Sequence, residues 1–364
     1  MNIGILTFHL ARNYGAVFQA YALQRIIEDN GYEVNIINYD SDFLSNTYKI
    51  NKFRELKNIK QIIKYFLTNK DIKEKDKKFQ IFREKYFKLS KQTYYKYNIN
   101  TCNSEYDCFF VGSDQVWNFN LNGEDKTFYL DFVNDNNKKN SYAASFGYDK
   151  IPNEYVNLTR ELLSKFNNLS VREKQGNKII SELINKDSEV VLDPTLLLDK
   201  YDWEKISSNK KEEKEYILVY EIASTPNLIR FSKMLARKKK CEIIYINNTY
   251  KKYSGGKNIK NASPEEFLSY LLNAKYIVTS SFHGLVFSIN FEKDFFYELD
   301  NKKINNNSRL ENIVDIFDLK SREIVDGNNN DIDKRIDYSK VNKILYKERK
   351  KSIDFIKKSI ENLI

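Results

Sequence analysis

Only two histidines occur in the chain, His9 and His283. His283 follows a run that reads as a strand over residues 276–279, and Ser280, Ser281 and Phe282 lead from it into an apolar helix. Two hydroxyls and the free N–H groups of a helix start make a cradle for an anion. An imidazole beside them titrates near neutral pH and can deliver a proton. The spacing nominates His283 as a catalytic acid, with Ser280 and Ser281 as ligands of an anionic donor; the plainer alternative is a structural histidine. A serine hydrolase is not indicated, because no Gly-x-Ser-x-Gly turn is present.

Three further strand ends carry chemistry. Residues 106–111 read as a strand ending on Gly112-Ser113-Asp114-Gln115, with Trp117 just beyond. Asp114 there suits a base or orienter for sugar hydroxyls, Gln115 a ligand to them, and an indole stacks on a pyranose face. The alternative is a turn in which Asp114 caps a short helix. Leu169-Ser170-Val171 runs directly into Arg172, whose guanidinium suits a two-pronged contact with carboxylate or phosphate, or an ordinary ion pair. Asn13 and Tyr14 lie in the turn joining the first strand to the first helix, where open α/β sheets bind ligands. Asn13 equally fits a helix cap. That turn is not GxGxxG, so a dinucleotide fingerprint is missing.

The elements between these points alternate. Residues 3–8, a helix over 16–30 and a strand over 32–39 form a βαβ unit closed by Gly31. Strand-like runs return at 106–111, 140–146, 169–171 and 189–192, with a helix over 153–166. A polar stretch over 199–215 marks a boundary, after which strands at 216–220, 242–246 and 276–279 alternate with helices over 228–239, from Ser263-Pro264, and from near His283. This pattern predicts an α/β fold of two doubly wound, Rossmann-like halves facing a cleft. The division expected is 1–200 as the acceptor side with a helical insertion over 43–100, 215–338 as the donor side, and a final helix over 339–364.

Composition narrows the class. The 364 residues carry 60 basic and 50 acidic side chains, a net charge of +10. Residues 51–100 alone hold fifteen of the basic and five of the acidic ones, so the remainder balances. That segment carries two apolar helical stripes, Leu56, Ile59, Ile63, Phe66 and then Phe79, Phe82, Tyr86, Leu89. It is either a solvated insertion packed on the first half or a lysine surface facing an anionic membrane leaflet. Its aromatics fall on the stripes and are not interleaved with the lysines, which speaks against nucleic acid. Cys102, Cys108 and Cys241 have neither the number nor the spacing for a disulfide scaffold or zinc ribbon, and no metal site is expected. The sequence shows no membrane-spanning run, and its first residues read as mature cytoplasmic sequence.

In order along the chain stand FHLARNYGAVFQAYALQ, FFVGSDQVWN, SYAASFG, LSVREKQG, VVLDPTLLL and VTSSFHGLVFS, then Ser308-Arg309-Leu310. Taken together these resemble the polysaccharide pyruvyl transferase family over residues 3–320 or so. The resemblance implies a GT-B-like fold and transfer of pyruvate from phosphoenolpyruvate, as a ketal, to a sugar of a surface glycan or its precursor. It implies no bound cofactor. Its acceptor is a glycan or lipid-linked glycan, held by Asn13, Tyr14, Gln115 and Trp117. Its catalytic residues are His283 and Asp114, and its donor ligands Arg172, Ser280, Ser281 and Arg309. Members typically carry Arg-Leu-His where this chain has Ser281-Phe282-His283, so Arg309 is the candidate for the missing positive charge. The rival reading is a GT-B glycosyltransferase using a nucleotide sugar.

Overall fold

The computed structural model describes residues 1–44, 59–222, 225–247, 251–300, 307–329 and 331–363. Strand β1 (Asn2–Leu6) is followed by helix α1 (Tyr14–Asp29), β2 (Glu33–Ile36), α2 (Ile59–Tyr86), β3 (Cys108–Val111) and β4 (Lys139–Ser141). Then come α3 (Val156–Ser164), β5 (Ser170–Val171), α4 (Lys174–Ile184) and β6 (Glu189–Val190). The strands pair in parallel in the order β2-β1-β3-β4. Bridges from Asn140 to Asn168 and from Ala144 to Val171 carry the ladder on to β5 and β6. All four residues of β3 are buried, as a parallel strand covered by helices on both faces requires.

The second half contains α5 (Lys200–Ile206), β7 (Tyr216–Glu221), α6 (Pro226–Lys239), β8 (Glu242–Asn247), β9 (Lys257–Ile259) and α7 (Pro264–Asn273). After these come β10 (Tyr276–Thr279), α8 (Phe282–Asn290), β11 (Asp294–Tyr297), α9 (Ser308–Ile316) and α10 (Tyr338–Glu361). Its sheet is again wholly parallel, in the order β11-β10-β7-β8-β9. The fold is therefore two doubly wound Rossmann-like sheets, as the alternation predicts, and GT-B-like, as the family resemblance implies. Order reverses between β1 and β3 in one sheet and between β7 and β10 in the other, and such reversals open the crevices where these sheets bind ligands.

Aromatic side chains join the halves. Tyr14 of α1 stacks on Phe267 of α7 with centroids 4.1 Å apart, and its hydroxyl donates to the Ala262 carbonyl at 2.8 Å. The stretch 199–215, read as a polar boundary, in fact opens with α5, whose buried Trp203 packs on Phe18 of α1 and Phe287 of α8. α10 returns to the first half: Ser352 Oγ accepts the Leu192 N–H at 3.0 Å, and Arg349 donates to the Leu198 carbonyl.

In the basic segment Phe79 and Phe82 are buried against Tyr14 and Phe18, so the second stripe packs on α1. Lys78 pairs with Glu266 of the second half at 3.0 Å, and Lys88 with Glu28 at 2.8 Å. Lys75 is buried over the Tyr14 ring, and burial lowers its pKa to about 8. Leu56 of the first stripe lies outside the described residues, as do the side chains of Ile59, Ile63 and Phe66. No helix among the described residues is long and apolar enough to cross a membrane.

Candidate active site

Both crevices open onto one cavity of about 290 Å³. From the first half it is lined by Asn13, Asp114 and Gln115, and from the second by Phe282, His283 and Arg309. The sequence places these residues in four separate turns, and the convergence comes from strand order.

Asp193 lies behind the cavity, just after β6 and fully buried. Its Oδ1 accepts from the Thr195 N–H at 3.0 Å and the Thr195 hydroxyl at 2.6 Å. Its Oδ2 lies 3.0 Å from Arg172 Nη1, 3.1 Å from Ser113 Oγ and 3.8 Å from His283 Nε2. Burial pushes this carboxyl up, but His283 whenever it is protonated, the Arg172 charge and the Thr195 bonds hold it below its ordinary range. Burial pulls His283 below 6.5, while Asp193 pulls the other way. The imidazole thus rests neutral, with a carboxylate poised to stabilise a proton once one arrives. Gly15 fixes the ring's other edge: a Cβ there would fall 2.1 Å from Nδ1.

Asp114 has a left-handed backbone, φ 80°, which Asp tolerates better than most residues. The preceding Gly112, φ 115°, is confined to glycine because a Cβ would meet the Tyr142 carbonyl at 2.2 Å. This turn brings Asp114 Oδ1 to 2.9 Å from the Gln115 N–H and 3.5 Å from Arg172 Nη2. Turned so that its oxygen faces Arg309, the Gln115 amide accepts from both terminal nitrogens at 3.2 and 3.3 Å.

Arg309 projects from the first turn of α9. That helix is tied to the first half by Asn312, whose amide donates to the Arg172 carbonyl at 3.2 Å. Burial and the nearby Arg172 charge lower the Arg309 pKa to about 10, so it stays protonated at neutral pH. Among the described residues no carboxylate lies within 4 Å of it; the ion pairs at this site belong to Arg172 and His283. The cavity wall therefore carries a part-buried positive charge with no direct ion-pair partner among the described residues, Glu173, Asp114 and Asp193 acting on it from beyond that distance.

Several expected ligands are held elsewhere. Trp117 is wholly buried between Tyr129, Phe146 and Phe166, with its indole N–H on the Phe128 carbonyl, so it cannot stack on a sugar. Tyr14 is the interdomain ring described above and does not line the cavity. Ser281 is the α8 cap, its hydroxyl accepting the Gly284 N–H at 3.3 Å, so the anion cradle read there is closed by the protein itself. Ser280 does not line the cavity either; its hydroxyl accepts the Ile222 N–H beside it. Arg172 is buried under Phe282, 4.6 Å from the ring centroid, and taken up by Asp193 and Asp114. It holds these carboxylates and does not line the cavity.

Sequence reasoning missed Asp193 and Glu173. Glu173 accepts from Ser145 Oγ at 2.7 Å, and burial raises its pKa against the pull of Arg172 and Arg309. The signal for Asp193 was present: an apolar run ending in Asp193-Pro194 is one more strand end of the kind read elsewhere.

The model of the family described as polysaccharide pyruvyl transferase matches residues 13–297, a stretch that holds Asn13, Asp114, Asp193 and His283 and ends before Arg309. No curated protein matches the sequence. Among solved structures, a putative UDP-N-acetylglucosamine 2-epimerase from Listeria monocytogenes is similar at TM-score 0.47 and 10% identity, over 97% of this chain and 90% of that one. The UDP-GlcNAc 2-epimerase from Neisseria meningitidis gives TM-score 0.45 and 10% identity, over 96% and 100%. The ADP-heptose lps heptosyltransferase II of E. coli gives 0.37 and 8%, over 96% and 99%.

Proposed function

The chain belongs to the polysaccharide pyruvyl transferase family, and from that premise we propose that it transfers pyruvate from phosphoenolpyruvate onto two hydroxyls of a glycan as a ketal. The observation that carries this reading is Arg309, a part-buried cation on the cavity wall with no carboxylate within ion-pair distance among the described residues. A charge partly withdrawn from water gains from a direct partner. A small polyanion supplies the missing partner, and a cavity near 290 Å³ is at the small end for ligand sites.

The residues divide the reaction as follows. His283, protonated once the anionic donor is bound, gives its proton to the methylene carbon, and C2 becomes cationic. One acceptor hydroxyl adds to C2 and passes its proton to Asp114. Phosphate leaves with that proton, C2 is cationic again, and the second hydroxyl closes the ketal as its proton returns to His283. Arg309 holds donor charge throughout, Asp193 stabilises the imidazolium, and Asn13 and Gln115 meet acceptor hydroxyls. No bound cofactor enters this scheme.

A nucleotide-sugar donor fits less well. Its diphosphate needs a helix N-terminus at the second sheet's crevice, and the first turn of α6 is already occupied. There Glu221 accepts from the Thr225 N–H at 2.9 Å and Glu298 accepts from the Leu228 N–H at 2.5 Å, both carboxylates being buried. On the proposed reading the enzyme works on the cytoplasmic side, on a lipid-linked or polymeric glycan. Lys70, Lys73, Lys77 and Lys85 are the exposed lysines among the described side chains of α2, available to an anionic leaflet, a contact read by co-sedimentation with anionic against neutral liposomes.

The deciding experiment is thermal shift with phosphoenolpyruvate against UDP, GDP and CMP sugars, followed by phosphate release with candidate glycans. Phosphoenolpyruvate alone raises the melting temperature, and His283→Gln lowers turnover by about 10²–10⁴-fold. Stabilisation only by a nucleotide sugar refutes the assignment.

A further inference from the structure

α10 lies along β6, the last strand of the first sheet, where Lys351 Nζ donates to the Val190 carbonyl at 2.9 Å. Between helix and strand runs an open groove of about 440 Å³. Phe355 lines it, and Tyr346 stands at its side with 74% of its surface exposed. Lys347, Lys350, Lys351 and Lys358 line the rest, against only Glu189 and Asp354. The helix as a whole holds eight basic and three acidic residues.

Several surface lysines elsewhere meet carboxylates: Lys165 with Glu161, Lys214 with Glu242, Lys257 with Glu212. Among the described residues no carboxylate lies within 4 Å of any of the four groove lysines, although two acids share the groove with them. The spacing of Tyr346, Lys347, Lys350 and Lys351 puts ring and ammonium groups on one helix face. An exposed ring offers an apolar face to the C–H side of a sugar while the lysines around it hold acidic substituents.

We propose that this groove is a second carbohydrate subsite, which takes an acidic segment of a glycan chain. An exposed ring among lysines suits the alternating apolar and acidic faces of such a chain. The inference rests on the reading above in one respect: each ketal adds a carboxylate, so the modified stretch of a polymer becomes acidic and fits the groove.

Affinity electrophoresis through gels containing polygalacturonate, a model acidic glycan, tests it without any turnover, so its failure is separate from failure of the phosphoenolpyruvate assays. The gel retards the wild type in a salt-dependent way, and neutral dextran does not. A Lys347→Glu, Lys350→Glu, Lys358→Glu triple variant binds about tenfold more weakly. Tyr346→Ala binds a few-fold more weakly. Both variants keep the wild-type melting temperature and phosphate release with a short acceptor. The proposal falls if polygalacturonate causes no retardation, or if Tyr346→Ala leaves it unchanged, which would mark plain ion exchange. It also falls if phosphatidylglycerol vesicles or duplex DNA bind more tightly than the glycan through the same lysines.

Discussion

Arg172 and Arg309 are chemically identical and lie near the same carboxylates, but Arg172 is buried and directly paired while Arg309 is part-exposed and is not, and this assigns them opposite consequences. Removing Arg172 leaves Asp193 and Asp114 without their cation, so Arg172→Ala destabilises the fold by about 3–5 kcal/mol. Removing Arg309 breaks no direct ion pair, so Arg309→Ala leaves the melting temperature near that of the wild type and raises the KM for phosphoenolpyruvate by roughly 10–100-fold. Urea titration and steady-state kinetics on the two variants read the contrast; equal loss of stability in both rules it out. The pH behaviour follows from His283. Burial holds its pKa below 6.5 in the free enzyme, so it is neutral at pH 7. A bound polyanion raises that pKa, so binding takes up a proton and donor affinity tightens as pH falls from about 8 towards 6. Calorimetry in two buffers of different ionisation enthalpy measures the uptake, and His283→Gln abolishes it; an uptake identical in both proteins excludes His283 as the acceptor. At this scale the sequence was half legible. It showed which residues stand at strand ends, and His283, Asp114, Gln115, Asn13 and Arg309 do line the cavity. It did not show which were already satisfied by partners far along the chain, and so it misread Arg172, Ser281 and Trp117.

Elements decide whether those side chains stay in place. Gly15 sits in the first turn of α1, directly against the His283 ring. In a helix interior Gly→Ala usually stabilises by about 0.5–1 kcal/mol. Here the added methyl would lie 2.1 Å from Nδ1, so Gly15→Ala forces the ring aside and lowers kcat to a degree approaching that of His283→Gln. In a His283→Ala background the same substitution regains its helix preference and becomes neutral or stabilising. A double-mutant cycle on melting temperature and kcat measures this coupling, and strict additivity would show that α1 does not position the ring. The helix start and the site are thus one structure, and Asn13 serves as cap while also lining the cavity. Element type was the most legible feature of the sequence, because buried parallel strands read as apolar runs and each is followed by a helix with its own period. Where a helix docks was less legible: nothing in the local sequence says that α10 returns to the first half or that Trp203 of α5 faces α1.

Across the whole molecule those dockings create an apolar cluster that spans both halves, beside one cluster confined to the first half and another confined to the second. The spanning cluster includes Ile5 and Val17 of the first half, Trp203, Phe267 and Phe287 of the second, and Ile356 of α10. Halves of a chain joined by a small polar interface move against one another, whereas a large apolar one holds them together. Phe18 lies 5.3 Å from Phe287 and Tyr14 is stacked on Phe267, so separating the halves would expose rings at the centre of the cluster. The cavity is therefore formed before the donor arrives, with His283 and Asp193 brought together from opposite halves by the same packing. The protein accordingly melts in a single calorimetric transition, with equal van't Hoff and calorimetric enthalpies. Phe267→Ala moves that transition down by about 3–5 kcal/mol in stability without splitting it. Small-angle scattering shows the same radius of gyration with and without phosphoenolpyruvate. Two resolved transitions, or contraction on donor binding, would mean that the halves are independent bodies and that closure, not packing, assembles the site.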